Sequence, residues 1–295
     1  MAPLIASIPS PSRGALELGP ISIHAYGLML LLAIAAAIAL TGIRWTRRGG
    51  DWDLVFRVAV WGVAAGIVGA RAYHVVTSWE EVPDVWWGPL AVWKGGLGVW
   101  GGILFGTIAG LIVVRQAGVS MRRFMDATAP GLLLAQAVGR WGNWWNQELY
   151  GRPTDAAWGL EIDPEHRLPG YLLDTTFHPT FLYESLYALL GVGFLLLVDR
   201  LFRIRPPALF ALYVAYYTAG RVFIEELRID PAHEFAGLRL NTWVAGVLFV
   251  LAAGFFVYWQ FIRPRSHPEP EELERPRPQE GRAMAIPKGR VRGSR

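Results

Sequence analysis

The sequence predicts an all-α, polytopic transmembrane bundle of about seven spans, and three observations carry that prediction. Hydrophobic residues make up 53% of the 295-residue chain, and the mean hydropathy is +0.30. Apolar runs long enough to cross a hydrocarbon core of about 30 Å recur along the sequence. Arginines gather in alternate connections between those runs, as the positive-inside rule requires of cytoplasmic segments. That alternation puts the N-terminus outside and the C-terminus inside. The formal charge of +4 is spread over these connections and makes no patch that could track nucleic acid. The chain has no cysteine, which excludes disulfides, thiolate metal sites and a cysteine nucleophile of its own. Its six histidines show no HExxH-like spacing, so no metal site is expected.

Residues 23–43 form the first span, which ends at Arg44, Arg47 and Arg48 on the inner side. Residues 54–76 return outward with Arg71 near the outer end. The connection 77–93 is acidic and rich in tryptophan, a residue that gathers where hydrocarbon meets headgroups. Residues 96–114 run inward to Arg115, Arg122 and Arg123. The fourth run, 126–141, is short and contains Pro130, so a tilted, kinked or partly re-entrant helix is expected there. Segment 143–179 turns polar and reads as a small outer head. Spans at 180–198, 208–224 and 240–262 follow, with Arg200, Arg203 and Arg205 on the inner connection between the first two of them. Residues 1–262 therefore make one membrane domain. The Pro-, Glu- and Arg-rich tail, 263–295, has too few large apolar residues to fold and is expected to be disordered and cytoplasmic. The first twenty residues lack a basic start followed by an apolar run, so no cleavable signal peptide is expected.

This topology collects the polar residues of the spans at one depth. His24 and Tyr26 open the first span from outside, and Arg71 lies near the outer end of the second. Arg140, Asn143 and Asn146 close the fourth, His178 and Glu184 enter the fifth, and Arg221, Glu225 and Arg228 leave the sixth. A single arginine there reads equally well as one that snorkels to headgroups; the collection points to a site. Arginines at that depth can hold a phosphodiester through bidentate, charge-assisted bonds while neighbouring spans receive acyl chains, which makes a phospholipid the natural ligand. Asn143 and Asn146 can bond glycerol or ester oxygens, or can satisfy the helix end, and spacing leaves both open. In the third span Gly98, Gly102, Gly106 and Gly110 recur every four residues, the pattern of close helix packing. Gly95, Gly96 and Gly101 crowd its outer end, where room for a substrate is a second reading. For proton transfer His24, His178 and Glu225 are candidates that spacing does not separate. Glu225, three residues before Arg228, also reads as an ion-pair partner.

Gly139-Arg140-Trp141-Gly142-Asn143-Trp144-Trp145-Asn146-Gln147-Glu148-Leu149-Tyr150-Gly151 resembles the G-R-x-G-N-x-x-N-x-E-x-x-G signature of the bacterial prolipoprotein diacylglyceryl transferases. His24-Ala25-Tyr26-Gly27 looks like the family's H-x-Y-G opening, and Gly69-Ala70-Arg71 like its G-x-R. Trp93-Lys94-Gly95-Gly96-Leu97 with Gly101-Gly102 resembles its Gly-rich third helix. His178 to Glu184 is similar to H-P-x-x-L-Y-E, and Gly220 to Glu225 with Arg228 to G-R-F-x-x-E-x-x-R. The resemblance implies a multi-pass plasma-membrane enzyme, without a cofactor, whose site opens to the outer leaflet among membrane lipids. Its partners would be phosphatidylglycerol and the signal peptide of a prolipoprotein. The diacylglyceryl group would pass to the lipobox cysteine thiol as a thioether, and glycerol phosphate would leave. The family's essential arginine falls on Arg140 and its second important arginine on Arg221. Asn143, Gly151, Tyr26, Glu225 and Arg228 occupy further functional positions. Trp100 stands where many relatives have a histidine just before the paired glycines, which leaves the base unidentified. The alternative from another class is a lipid or small-molecule transporter, but such proteins favour polar groups near the midplane and a related second half, and no repeat is visible in this chain.

Overall fold

The computed structural model describes residues 7–18 and 21–264. Among them seven long helices follow one another: α1 (Ala25–Arg47), α2 (Trp52–Thr77), α3 (Val99–Gln116), α4 (Met121–Trp145), α5 (Thr180–Leu201), α6 (Ala208–Leu227) and α7 (Leu240–Val257), the last continued by a π-helical turn, Tyr258–Ile262. Three antiparallel two-stranded ribbons sit at the connections. They pair β1 (Ala15–Leu18) with β2 (Ile21–His24), β3 (Leu160–Glu161) with β4 (Thr176–Phe177), and β5 (Glu234–Phe235) with β6 (Leu238–Arg239). The tail from 265 lies outside the described residues.

Helices α1, α2, α3, α5 and α7 with its π turn are long and apolar enough to cross a membrane. Among the described residues many of their large side chains are exposed, as at Leu31, Val68, Leu190 and Leu251. Helices α4 and α6 have the length but not the composition. The first carries Arg122, Arg123, Asp126, Arg140 and Asn143, and the second Arg221, Glu225 and Glu226. The sequence expectation of about seven spans is thus met by five on composition, and the two that fall short are those that carry the arginine pair.

The short, interrupted fourth run expected from the sequence is instead one continuous helix of 25 residues. Pro130 deprives it of the N–H that would bond the carbonyl of Asp126. Arg44 of α1 replaces that donor, with Nη2 donating to Asp126 O at 2.9 Å and Nε to Ala127 O at 3.1 Å. Its Nη1 meets Asp199 of α5 at 3.3 Å, and Arg48 binds the same carboxylate at 2.8 Å. A carbonyl freed inside a helix and buried from water needs such a partner. Gly131 lets α1 come this close: a methyl there would lie 2.4 Å from Thr41 Oγ1 and 2.9 Å from Ala37 O. The glycine-rich face of α3 is used in the same way. A Cβ at Gly101 would stand 2.2 Å from Gly69 O of α2, and one at Gly106 2.9 Å from Gly62 O.

Helix α1 packs on α4, α2 on α3, α4 on α5 and α6 on α7. Ala129, Leu133 and Ala137 of α4, Ala188 and Leu195 of α5, and Leu209 and Tyr213 of α6 form a buried core. Asp126 Oδ1 accepts from Phe210 N at 2.9 Å and so holds the start of α6 against α4. These contacts fix the relative positions of α4, α5 and α6, each of which contributes a charged residue to the lining of one cavity. In the connection after α4, Tyr150, Leu160, Ile162 and Phe177 make a smaller core with Phe181 of α5.

Candidate active site

Arg140 lies between one and two turns before the end of α4, Glu184 about one turn into α5, and Arg221 nearly two turns before the end of α6. Glu184 joins the two arginines through a single oxygen. Its Oε2 is 2.6 Å from Arg140 Nη2 and 3.5 Å from Arg221 Nη1. The three side chains line a cavity of about 20 Å³ together with Gln136, Tyr187, Tyr217 and Gly220. Arg221 Nη1 is buried there with no aligned hydrogen-bond partner, although an unmade bond at a buried charged donor is costly. Two guanidinium groups converging on one carboxylate form a fork that can exchange that anion for a phosphate.

Behind the cavity Glu225, one turn beyond Arg221, is completely buried. Arg221 Nη2 approaches its Oε2 at 2.5 Å, while Arg239 Nε and Asn241 Nδ2 reach Oε1 at 2.7 Å and 3.2 Å. Arg228 stands 3.8 Å away and is bound to Asp230 by two bonds of 2.6 Å and 2.7 Å, and Arg239 Nη2 shares that aspartate at 3.0 Å. Burial pushes the Asp230 carboxyl up, but the bonds and charges of Arg228 and Arg239 outweigh it and hold Asp230 below the usual carboxylate range. Burial likewise works against the Arg228 guanidinium, and Asp230 with Glu225 raises it above the ordinary arginine value.

On the other flank Arg140 Nη1 reaches Asn143 Oδ1 at 3.4 Å, and Asn143 Nδ2 donates to Glu148 Oε1 at 2.8 Å. Asn146 Nδ2 approaches the same oxygen at 3.4 Å. The backbone enters the left-handed region at Gln147, φ 50°, and at Leu149, φ 58°, and so turns Glu148 back onto the asparagines. The Tyr26 ring packs closely on the signature's second glycine, for a methyl at Gly142 would lie 2.7 Å from Tyr26 Cδ2. Gly151 has a backbone role: its N–H donates to His178 O at 2.9 Å, and it pairs with Arg228 in an antiparallel bridge. A Cβ on it would meet His178 Cβ at 2.8 Å and Leu227 O at 3.1 Å. Only glycine lets the chain leaving α4 thread between the start of α5 and the end of α6.

Of the residues singled out from sequence, the structure gathers Arg140, Asn143, Asn146, Gly151, Arg221, Glu225, Arg228 and Tyr26 around these contacts. Arg71 is engaged elsewhere. Its guanidinium donates to the carbonyls of Gly88, Pro89, Gly95 and Gly96 at 2.7–3.0 Å, fastening the loop before α3. Gly96, at φ 68°, lies against Arg71 and His74, and Gly101 and Gly102 face the backbone of α2. His178 Nδ1 sits 3.1 Å from the Tyr183 hydroxyl, which also accepts from Trp158 Nε1 at 2.8 Å. His24 is exposed at the N-cap of α1, and Trp100 is half exposed in the first turn of α3. Sequence reasoning did not single out Glu148, Asp230, Arg239 or Asn241, nor Glu184 as the bridge between the arginines. Glu148 and Glu184 stood inside recognisable motifs, whereas Arg239 had no signal, being one more cation in a polar loop. In the head, ligand atoms of Asp163, Glu165 and His166 come within 4.8 Å of one another, and Asp163 is bonded to Gln147 Nε2 at 2.7 Å.

A family model for prolipoprotein diacylglyceryl transferase matches residues 13–258. The chain is 46% identical to a phosphatidylglycerol–prolipoprotein diacylglyceryl transferase of Frankia alni, over 98% of this chain and 74% of that protein. It is 47% identical to the protein of that name from Cutibacterium acnes, over 86% of this chain and 87% of that one. A third, from Bifidobacterium adolescentis, is 42% identical over 87% and 81% respectively.

Proposed function

The chain belongs to the prolipoprotein diacylglyceryl transferase family, and from that premise we propose that Arg140 and Arg221 together grip the phosphodiester of phosphatidylglycerol while its diacylglyceryl group is transferred. The chain is a membrane transferase of lipoprotein biosynthesis, acting in the first step of lipoprotein lipidation. The acceptor in this reading is the lipobox cysteine of a prolipoprotein, presented at the outer leaflet of the plasma membrane. Helices α4 and α6 complete seven crossings, with the N-terminus outside and the C-terminus inside.

A cysteine thiol has a free pKa of about 8.5, and two guanidinium groups nearby favour its thiolate. The sulfur attacks the glycerol carbon that bears the phosphate, the carbon–oxygen bond breaks, and the bonding pair leaves with glycerol phosphate. The phosphate thereby passes from one negative charge to two. A further unit charge about 4 Å from a guanidinium is worth about 4 kcal/mol at an effective dielectric of about 20. The arginines therefore stabilise the transition state more than the bound lipid, which is what accelerates a reaction. Glu184 holds the fork open until the lipid phosphate replaces it. Asn143 and Glu148 set the angle of Arg140, and Tyr26 closes the α1 side.

The observation that carries this reading is the convergence of Arg140 and Arg221 on one Glu184 oxygen beside a cavity. An apolar groove of about 320 Å³ between α5, α6 and α7 shares Tyr187 with that cavity and suits an acyl chain. On α6 its lining residues Leu212 to Ala219 lie about 3–14 Å along the axis from Arg221, at a rise of about 1.5 Å per residue. The test mixes purified protein with phosphatidylglycerol radiolabelled in its acyl chains and a lipobox peptide. Label on the peptide supports the reading, and lipid binding without transfer favours a transporter instead.

A further inference from the structure

We infer that Arg239 is a positioning residue for Arg221, acting through the Glu225 carboxylate; this rests on the transfer reaction above. Glu225 is fully buried, and a buried carboxylate needs both its oxygens engaged. Arg221 and Glu225 are one turn apart on α6, so the two would pair in many geometries if the carboxylate were free to rotate. Arg239 removes that freedom. It arrives from the far side of the α6–α7 connection, immediately before α7, and places Nε 2.7 Å from Glu225 Oε1. Asn241 Nδ2 supports the same oxygen at 3.2 Å.

Arg239 is itself fixed at its other nitrogens. Nη1 donates to the carbonyls of Arg228 at 3.2 Å and Asp230 at 2.9 Å, and Nη2 to Asp230 Oδ2 at 3.0 Å. All three guanidinium nitrogens are spent on positions that cannot drift independently. With Oε1 pinned, Oε2 is left to meet Arg221 Nη2 as a close ion pair at 2.5 Å, without an aligned hydrogen bond of its own. Arg221 Nη1 is then the nitrogen left to face Glu184 and the cavity, where it lacks an aligned partner. Arg239 does not line that cavity, and of its partners Glu225, Asp230 and the Arg228 carbonyl, Glu225 is the one that meets Arg221.

The experiment compares wild type, Arg239→Gln and Arg239→Lys in the peptide transfer assay, each also in an Arg221→Lys background. Arg239→Gln is expected to lower turnover at least tenfold, and Arg239→Lys, which can still reach Glu225, to recover most of that loss. In the Arg221→Lys background Arg239→Gln should add less than twofold, because the group it positions has already been replaced. A merely structural residue would cost the same factor in both backgrounds. Where Arg239→Gln fails to accumulate, Asn241→Ala takes its place, with an expected loss of threefold or more that vanishes beside Arg221→Lys. Turnover of the single variant within twofold of wild type, or equal losses in both backgrounds, overturns the inference. Absence of transfer by wild type would instead overturn the reaction on which it rests.

Discussion

Replacing Arg140 by lysine is expected to cut the rate of diacylglyceryl transfer about 100-fold while leaving the protein folded. Arg140 reaches Glu184 through Nη2 at 2.6 Å and Asn143 through Nη1 at 3.4 Å, so its fork is aimed from two sides. Lysine keeps the charge but brings one nitrogen, which can serve one of these partners and cannot hold two phosphate oxygens in a plane. Loss of a single donor to a developing oxyanion costs about 3 kcal/mol, and at about 1.4 kcal/mol per decade that is about two decades in turnover. Ground-state binding of a singly charged lipid depends mainly on the retained charge, so KM should change much less than kcat. The assay is transfer of labelled diacylglyceryl to a lipobox peptide, run beside a thermal melt of both proteins in detergent. A kcat within threefold of wild type, with an unchanged melt, would refute the role given to the guanidinium geometry.

Three further outcomes follow from other parts of the fold. Ala219→Phe should fill the groove between α5, α6 and α7 and depress turnover of long-chain phosphatidylglycerol at least fivefold relative to a short-chain form, at about 0.8 kcal/mol per buried methylene; an unchanged ratio removes the acyl chain from that groove. Arg44→Ala should leave the Asp126 carbonyl without a donor and Asp199 without one of its two arginines, and cost about 2–4 kcal/mol, read as a lowered melting temperature, whereas the same change at exposed Arg57 should have little effect. Asp230→Asn should destabilise the α6–α7 connection by about 1–3 kcal/mol at neutral pH. Because the folded pKa of Asp230 is depressed, the wild-type advantage is present above the unfolded value of about 3.9 and is lost as pH falls through the lower folded value. The gap between the melts of the two proteins should therefore be constant from pH 7 to about pH 5 and narrow as the pH falls below the unfolded value of about 3.9.

The spans were legible because arginines close them: Arg44, Arg115 and Arg200 sit in the last turns of α1, α3 and α5. The fourth helix is longer than its apolar run, 126–141, because Arg122, Arg123 and Asn143 outside that run belong to the same helix, and Pro130 within it normally marks a break. What heals the break is Arg44, 82 residues away from Asp126, and no local pattern encodes that partner. The candidate site is legible where chemistry is concentrated in a motif, as at Arg140 and Asn143, or where an arginine interrupts an apolar run, as at Arg221. Arg71 looked equivalent on that criterion. Its four carbonyl partners lie in the loop before α3, and only the folded chain distinguishes an arginine that ties a loop from one left to face a cavity. Arg239 was illegible for the opposite reason. It lies in a polar connection where a cation attracts no notice, and its meaning depends on the buried carboxylate it meets across the hairpin.

The central claim is that Arg140 and Arg221 jointly hold one lipid phosphate. A structure of the protein with phosphatidylglycerol bound in nanodiscs tests it most directly. The phosphorus is expected between the two guanidinium groups, with Glu184 displaced from at least one of them and an acyl chain descending past Tyr187. A headgroup bound elsewhere, with Arg140 and Arg221 still closed on Glu184 at 2.6 Å and 3.5 Å, would contradict it.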